Sequence, residues 1–449
     1  MATRILTAHE PEEHSTGQQW IEQRSIQQRR IEQRMRLGST ANDAASGYGK
    51  PLDGVRILAA EQMQALPYAT QLLARLGAEV VKVEHPRDGE SGRGSLPAME
   101  DPQGRRVGAT FLRNNLDKTS VGIDLKHPRG RQLFIDLAAK FDVVGENFKA
   151  GTMDRLGLGY ADLAAVHPRL VYVSVSGFGN SGDSPYQAWP AYAMVPEAMS
   201  GIYDYSQRGD EPPRVIPVGA LGDISSGLFA VIGILAALRH REHTGLGQYV
   251  DIAMFDAMLS MTDVVTSLWS LGERPKDGPP LLMDSFRASD GWFALQVARE
   301  HQFAALAELV GAPEWLTDER LSTRPGWGRH TDDVIRPRLE AWAAGLTRLE
   351  VCDRLGRANI PAGPVHTAPE VIADPHVAAR NMLVEMERTD GGPDPVLIPG
   401  NPVKLSKMTE GPETRVPWVG EHTEAVLRRE LGLGDADLHS LRADGVINS

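Results

Sequence analysis

The sequence predicts an α/β protein: a Rossmann-like, doubly wound parallel sheet in a large domain, with a smaller α+β domain beside it. Two observations carry this. Short β-branched runs at residues 55–60, 79–84, 120–123, 143–146 and 170–176 alternate with helical segments at 68–76 and 128–140. Strands that alternate with helices are joined by crossovers, and crossovers make parallel sheets. After the Pro- and Gly-rich stretch 272–285 the rhythm changes to two short strands around 292–297 followed by several helices. A chain of 449 residues is long enough for two to three such units.

The first fifty residues differ from the rest. Ile-Glu-Gln-Arg occurs at 21–24 and again at 31–34, in a segment of good helix formers that Thr16 can open and Gly38 can close. Its apolar residues form no clean stripe, so residues 1–50 read as a polar helical arm and linker, or as a disordered extension. Glu10, Glu12, Glu13, Glu22 and Glu32 argue against a mitochondrial leader. The next boundaries fall at 51–270 for the first part of the large domain, 271–385 for the small domain, and 386–449 for a return segment that completes the large one. Within them, 223–239 reads as a long apolar helix, 248–253 as a strand, 254–271 as a helix, and 424–431 and 435–443 as the last two helices.

Several chemistries fail to appear. The first strand-to-helix turn, Ala60-Glu61-Gln62-Met63-Gln64-Ala65-Leu66-Pro67, holds no glycine, so NAD binding is not expected. Ser174-Val175-Ser176-Gly177-Phe178-Gly179 lacks the first glycine of a nucleophile elbow. His240 and His243 suit the end of a helix better than a metal site, and no metal is expected. The single cysteine, Cys352, reads as a packed small side chain; it excludes a disulfide framework and fits a reducing, cytoplasmic setting. A net charge of −12 argues against general nucleic-acid binding. No run of about 18 apolar residues is evident, so no membrane span is expected.

The most informative segment is Val218-Gly219-Ala220-Leu221-Gly222-Asp223-Ile224-Ser225-Ser226-Gly227. Locally, Asp223 reads first as an N-cap. It also suits a carboxylate nucleophile: a helix start favours the ionised form, and Gly222 lets a substrate come close.

From Pro51 to the C-terminus the chain resembles the family III CoA-transferases of the CaiB–BaiF type. The matching segments are Pro51-Leu52-Asp53-Gly54-Val55-Arg56-Ile57-Leu58, Leu76-Gly77-Ala78-Glu79 through Glu84, Val144-Gly145-Glu146-Asn147-Phe148 and Arg155-Leu156-Gly157-Leu158-Gly159. Ser176-Gly177-Phe178-Gly179, the Asp223 segment, Thr244-Gly245-Leu246-Gly247-Gln248 and Gly420-Glu421-His422-Thr423 complete them. The resemblance implies that Asp223 is the catalytic carboxylate, which attacks an acyl-CoA thioester to form a mixed anhydride and then an aspartyl-CoA thioester. It implies coenzyme A contacts at Gln64, Ala65, His85, Ile123, Lys126, Asn147, Phe148, Lys149, Arg155, Ser176, Gly177, Phe178 and Gly179, with Lys126, Lys149 and Arg155 facing phosphates. It further implies an interlocked homodimer with active sites where domains and subunits meet, and as partners an acyl-CoA and a free carboxylic acid.

The same fold hosts α-methylacyl-CoA racemases, which use a His and a Glu as acid and base. Tyr192 and Arg287 stand at those positions, and neither exchanges a proton readily near neutrality. Transferase is therefore the expected activity; a racemase and a catalytically inactive CoA-binding protein remain the alternatives. Tyr192, Gly222 and Arg287 are the expected substrate-pocket residues. The Arg287 guanidinium suits a second carboxylate on a dicarboxylic substrate, or else pairs with Asp284 or Asp290.

Overall fold

In a computed structural model of the chain, residues 34–206, 212–215, 219–272, 274 and 280–448 are described. They fall into two compact units. The first comprises residues through Val175, Gly227–Asp251 and Ala368 onward; the second comprises Ser176–Ser226 and Ile252–Thr367.

The first unit is built on a six-stranded sheet: β1 (Arg56–Ala60), β2 (Glu79–Glu84), β3 (Lys118–Gly122), β4 (Val143–Glu146), β5 (Val171–Ser176) and β6 (Tyr249–Ala253), in the order β3-β2-β1-β4-β5-β6. The pairs β3–β2, β2–β1, β1–β4 and β4–β5 run parallel. Helices cover the sheet, so its strands other than the half-buried edge strand β6 bury both faces. This is why they read as near-continuous Val, Ile and Leu. Leu58, Val81, Val121 and Val144 share one core with Phe134 and Leu137 of α2 (Pro128–Ala138) and with Val426, Leu427, Leu438 and Leu441 of the two C-terminal helices. The C-terminal segment thus returns to pack on the sheet that the chain began.

The strand order reverses between β1 and β4. Loops leaving the two strands there part in opposite directions, and such a switch point opens a crevice at the carboxyl ends of the strands. Asn147 ties the two loops together: its Oδ1 accepts the Gln62 N–H at 2.8 Å and its Nδ2 donates to the Gln62 carbonyl at 2.8 Å.

Beside this crevice lies a set of buried charges that the valine-rich pattern of β2 already hints at, since Lys82 and Glu84 have no solvent-facing side to occupy. Glu61 accepts from Lys118 Nζ at 2.7 Å and from Thr70 at 2.7 Å, and Lys82 Nζ stands 3.6 Å from the same carboxylate. Glu84 takes two hydrogen bonds from Arg93, at 2.6 and 2.8 Å, and the guanidinium lies 3.6 Å over the Phe111 ring. Buried charges persist only when paired. Burial still pulls the Lys118 ammonium down to about 8 against the attraction of Glu61.

The second unit is α+β. β7 (Leu282–Ala288) and β8 (Gly291–Val297) form an antiparallel hairpin extended by β9 (Ala362–Pro364). Phe286, Phe293, Phe303 and Trp327 centre its core, the last two stacked at 4.4 Å. It also holds two short helices, α3 (Met194–Met199) and α4 (Ile202–Ser206).

Three expectations are corrected. The helix α5 runs Leu221–Thr244, longer than 223–239 at both ends. By length and composition it is apolar enough to cross a membrane, with mean hydropathy 1.9 over 18 residues, because only Asp223 and a few Ser and Gly residues interrupt its apolar run. Ala230, Ile234, Ala237 and Leu238 are nevertheless buried, and the sheet strand β6 follows five residues later. The helix expected over 254–271 is interrupted: α6 (Met254–Met261) ends where Thr262 turns to an extended conformation, and helical turns resume over Val264–Leu268 and Trp269–Leu271. Met35–Arg36 is a strand parallel to Leu383–Met386, not the last turn of a polar helix, and Ala41 bridges Glu410. The rest of that expected helix lies outside the described residues, as do 273 and 275–279 of the expected crossing.

Glu61→Ala leaves the buried Lys118 ammonium without its carboxylate and Lys82 with Glu90 alone, at 3.7 Å; it is expected to destabilise the fold by about 3–5 kcal/mol, read as a shift of the urea unfolding midpoint.

Candidate active site

The segment 219–223 enters α5 through a tight left-handed turn, with φ of 100° at Gly219 and 40° at Ala220. Alanine in that region costs about 1–2 kcal/mol, so surrounding contacts must hold the turn. Asp223 is the third residue of the helix rather than its N-cap, which corrects the local reading of the sequence. It remains in the first turn, where the helix dipole acts on it. Gly222 is required: a Cβ there would lie 2.9 Å from the Ala193 carbonyl oxygen and 3.0 Å from Ala193 Cα. Its N–H donates to Glu197 Oε1 at 3.0 Å, so this amide is engaged and is not a free oxyanion donor.

The Asp223 carboxyl is pushed up to about 7, first by burial and then by the Glu197 charge. At neutral pH it is therefore poised between its two forms. A desolvated, ionised carboxylate is a stronger nucleophile than one in water, which suits attack on a carbonyl.

The sheet-end candidates divide by what their side chains already do. Gln64 precedes α1 (Ala65–Arg75); it is buried, and its Nε2 has no partner among the described residues. A buried donor without a partner costs about 1–3 kcal/mol and is a place for a ligand acceptor. Ser176 Oγ is in the same condition. Lys126, Lys149 and Arg155 are exposed, and no carboxylate pairs with them among the described residues; Arg155 bonds only the Thr152 hydroxyl, at 3.0 Å. Cations left unpaired at strand ends fit phosphate groups. Ala65 and Ile123 are buried, the latter in the core with its N–H on the Glu84 carbonyl at 2.9 Å. Asn147 has both ends of its amide on Gln62, so it shapes the crevice rather than offering a free group. Phe148 is half-buried against the core. His85 faces Asp88 at 3.5 Å.

In the second unit, a Cβ on Gly177 would meet Ala191 Cβ at 2.4 Å, and the Gly177 carbonyl accepts the Phe255 N–H at 3.1 Å. Phe178 packs with Tyr186, Trp189 and Phe255, and Gly179 takes a φ of 82°. Tyr192 is 71% exposed. Arg287 is exposed and stands 5.7 Å from the Trp292 ring. The ion pairs considered for it are not formed: Asp284 pairs with Arg336 at 2.7 Å and Asp290 with Arg348 at 3.4 Å.

Glu197 and Tyr203 escaped sequence reasoning. Glu197 reads as an ordinary first-turn acid of a short helix, and only the fold brings it to Gly222.

A sequence profile of CoA-transferase family III matches residues 52–423, and the chain belongs to that family. It is 33% identical over 405 residues to the succinyl-CoA–L-malate CoA-transferase beta subunit of Chloroflexus aurantiacus, covering 88% of this chain and 98% of that one. It is 35% identical over 428 residues to a formyl-CoA:oxalate CoA-transferase of Streptomyces coelicolor, covering 89% and 99%. A CAIB/BAIF family protein from Brucella suis superposes with a TM-score of 0.72 at 33% identity, covering 85% of this chain and 100% of that one. The protein is accordingly a CoA-transferase of family III.

Two outcomes are expected. Gly222→Ala pushes α5 off Ala193 and costs about 1–3 kcal/mol of stability, together with most of the activity, measured by unfolding and by turnover. The second concerns pH. Folding raises the Asp223 carboxyl from 3.8 to about 7, so the folded chain holds the proton more tightly than the unfolded one. Its contribution to stability is full below pH about 4 and is lost as pH rises through 7. Asp223→Asn removes that fall, and denaturant unfolding across this range shows it as a flatter stability curve.

Proposed function

We propose that the protein moves CoA from an acyl-CoA to a free carboxylic acid by covalent catalysis at Asp223. An Asp223 carboxylate oxygen attacks the thioester carbonyl carbon; the C–S bond breaks and the CoA thiolate leaves, giving a mixed anhydride. The thiolate then attacks the aspartyl carbonyl, the donor acid departs as its carboxylate, and an aspartyl-CoA thioester remains. The acceptor carboxylate attacks that thioester, and the released thiolate takes the acceptor acyl group from the second anhydride, restoring Asp223. Every step exchanges acyl groups between carboxylate and thiolate, so neither a metal nor a redox cofactor is consumed. The observation that carries this reading is the desolvated Asp223 carboxyl, pushed up to about 7, in the first turn of α5.

Coenzyme A is the substrate carrier in this reading. The unpartnered Gln64 amide at the sheet switch point and the exposed Lys126, Lys149 and Arg155 support binding of its polar groups there. The exposed Arg287 guanidinium, left by Asp284 and Asp290 to other partners, supports a dicarboxylic donor or acceptor. Relatives named for malate and oxalate are consistent with that choice. A homodimer is part of the proposal. Leu228 and Ile232, 40% and 60% exposed one turn apart on α5, support a covering partner surface; that the two chains interlock rests on the family resemblance.

A screen of acyl-CoA donors against free mono- and dicarboxylic acids tests the function. Asp223→Ala is expected to lower transfer at least about 1,000-fold. Turnover of wild type is expected to rise with pH through about 7 as Asp223 ionises. Exchange of the substrate α-proton with deuterium in the absence of transfer would instead mark a racemase. Arg287→Ala is expected to lower kcat/KM for dicarboxylic substrates about 10-fold or more while sparing monocarboxylic ones; equal, unchanged turnover of both would remove Arg287 from the pocket. Sedimentation of a stable folded monomer on dilution would count against interlocking.

A further inference from the structure

Glu197 is buried on α3, five per cent exposed, and both of its oxygens are engaged. Oε1 accepts the Gly222 N–H at 3.0 Å, and Oε2 accepts the Tyr203 hydroxyl of α4. Ala193, just before α3, is the backbone against which Gly222 is pressed. The two short helices therefore grip the residue that precedes Asp223, at a turn whose alanine has a left-handed φ.

We propose that Glu197 is the positioning residue of the Asp223 nucleophile: held by Tyr203, it fixes the Gly222 amide and so sets the strained turn that presents Asp223 to the thioester. This deepens the reading of Asp223 as a nucleophile and rests on it. A neutral acceptor would hold the same amide, so the negative charge at Glu197 has a second consequence. Glu197 is the charged group acting on Asp223 among the described residues, and Ser225, Ser226 and Met258 nearby are neutral. Burial first, and this charge after it, oppose ionisation of Asp223, so the nucleophile is fully ionised only above neutrality, or once substrate binding alters the pair.

Two substitutions separate the roles. Glu197→Gln keeps an acceptor for the Gly222 N–H and a partner for Tyr203 but removes the charge. Its turnover is expected to stay within about 3-fold of wild type at pH 8, with the acidic limb of the pH profile displaced toward lower pH. Glu197→Ala removes the acceptor; kcat is expected to fall about 10-fold or more with KM for acyl-CoA little changed. A direct readout needs no turnover: carbodiimide modifies protonated carboxyls, and mass spectrometry of the Asp223 peptide across pH gives its titration midpoint. That midpoint is expected to be lower in Glu197→Gln than in wild type. If Glu197→Ala folds and keeps the wild-type kcat, the positioning role is overturned; if the midpoint and the pH profile of Glu197→Gln both coincide with wild type, the charge effect is overturned, whether or not Glu197→Ala folds. If Asp223→Ala still transfers CoA, the nucleophile reading fails instead, and the carbodiimide midpoints still report whether Glu197 governs Asp223.

Discussion

The contact between Glu197 and the Gly222 amide is the constraint on which the site depends. A left-handed alanine at 220 and a glycine pressed against Ala193 define a turn with little freedom, and one hydrogen bond from a buried carboxylate ties it down. In the proposed mechanism the role of Asp223 follows from that turn. It sets the carboxyl, half-buried, in the first turn of a helix and places a second carboxylate near enough to resist its ionisation. Burial and the neighbouring charge favour the protonated form, while the helix dipole favours the ionised one. The opposition leaves the group titrating near neutrality, where a reversible acyl exchange needs a carboxylate that can both attack and leave.

The first unit shows the same economy with charge. Lys82, Lys118, Glu61, Glu84 and Arg93 are buried in and around β1, β2 and β3, each with a partner of opposite sign. Such a cluster contributes little net stability over a well-packed apolar core, since desolvation offsets the attraction. What it does is fix side chains rigidly beside the crevice at the switch point, where Asn147 joins the loops after β1 and β4. The exposed cations Lys126, Lys149 and Arg155 stand apart from it, outside any carboxylate's reach among the described residues. An acidic chain can thus present cations locally to an anionic substrate.

Much of the fold was legible in the sequence. The strands 79–84 and 143–146 were readable to the residue because both faces of a parallel sheet are buried and the apolar run ends where burial ends. Boundaries set by turn geometry were not. The start of α5 lies two residues before the expected one because Leu221 and Gly222 carry no capping signal, and Asp223 with the Ser and Gly residues after it masks a run that is apolar on average. Asp223 and Gly222 were visible as a chemical pattern. Asn147 was visible as a position but not as a clamp, since its partner is the backbone of Gln62, 85 residues away. Glu197 and Tyr203 were invisible, because nothing local distinguishes them from surface residues of short helices.

The most direct measurement is chemical trapping. The protein is incubated with an acyl-CoA donor, then quenched with hydroxylamine or borohydride, and the peptide containing Asp223 is examined by mass spectrometry. The account predicts a hydroxamate or a reduced side chain at Asp223, dependent on the donor and absent from Asp223→Asn. Donor turnover with an unmodified Asp223 peptide, or modification at another carboxylate, would contradict it.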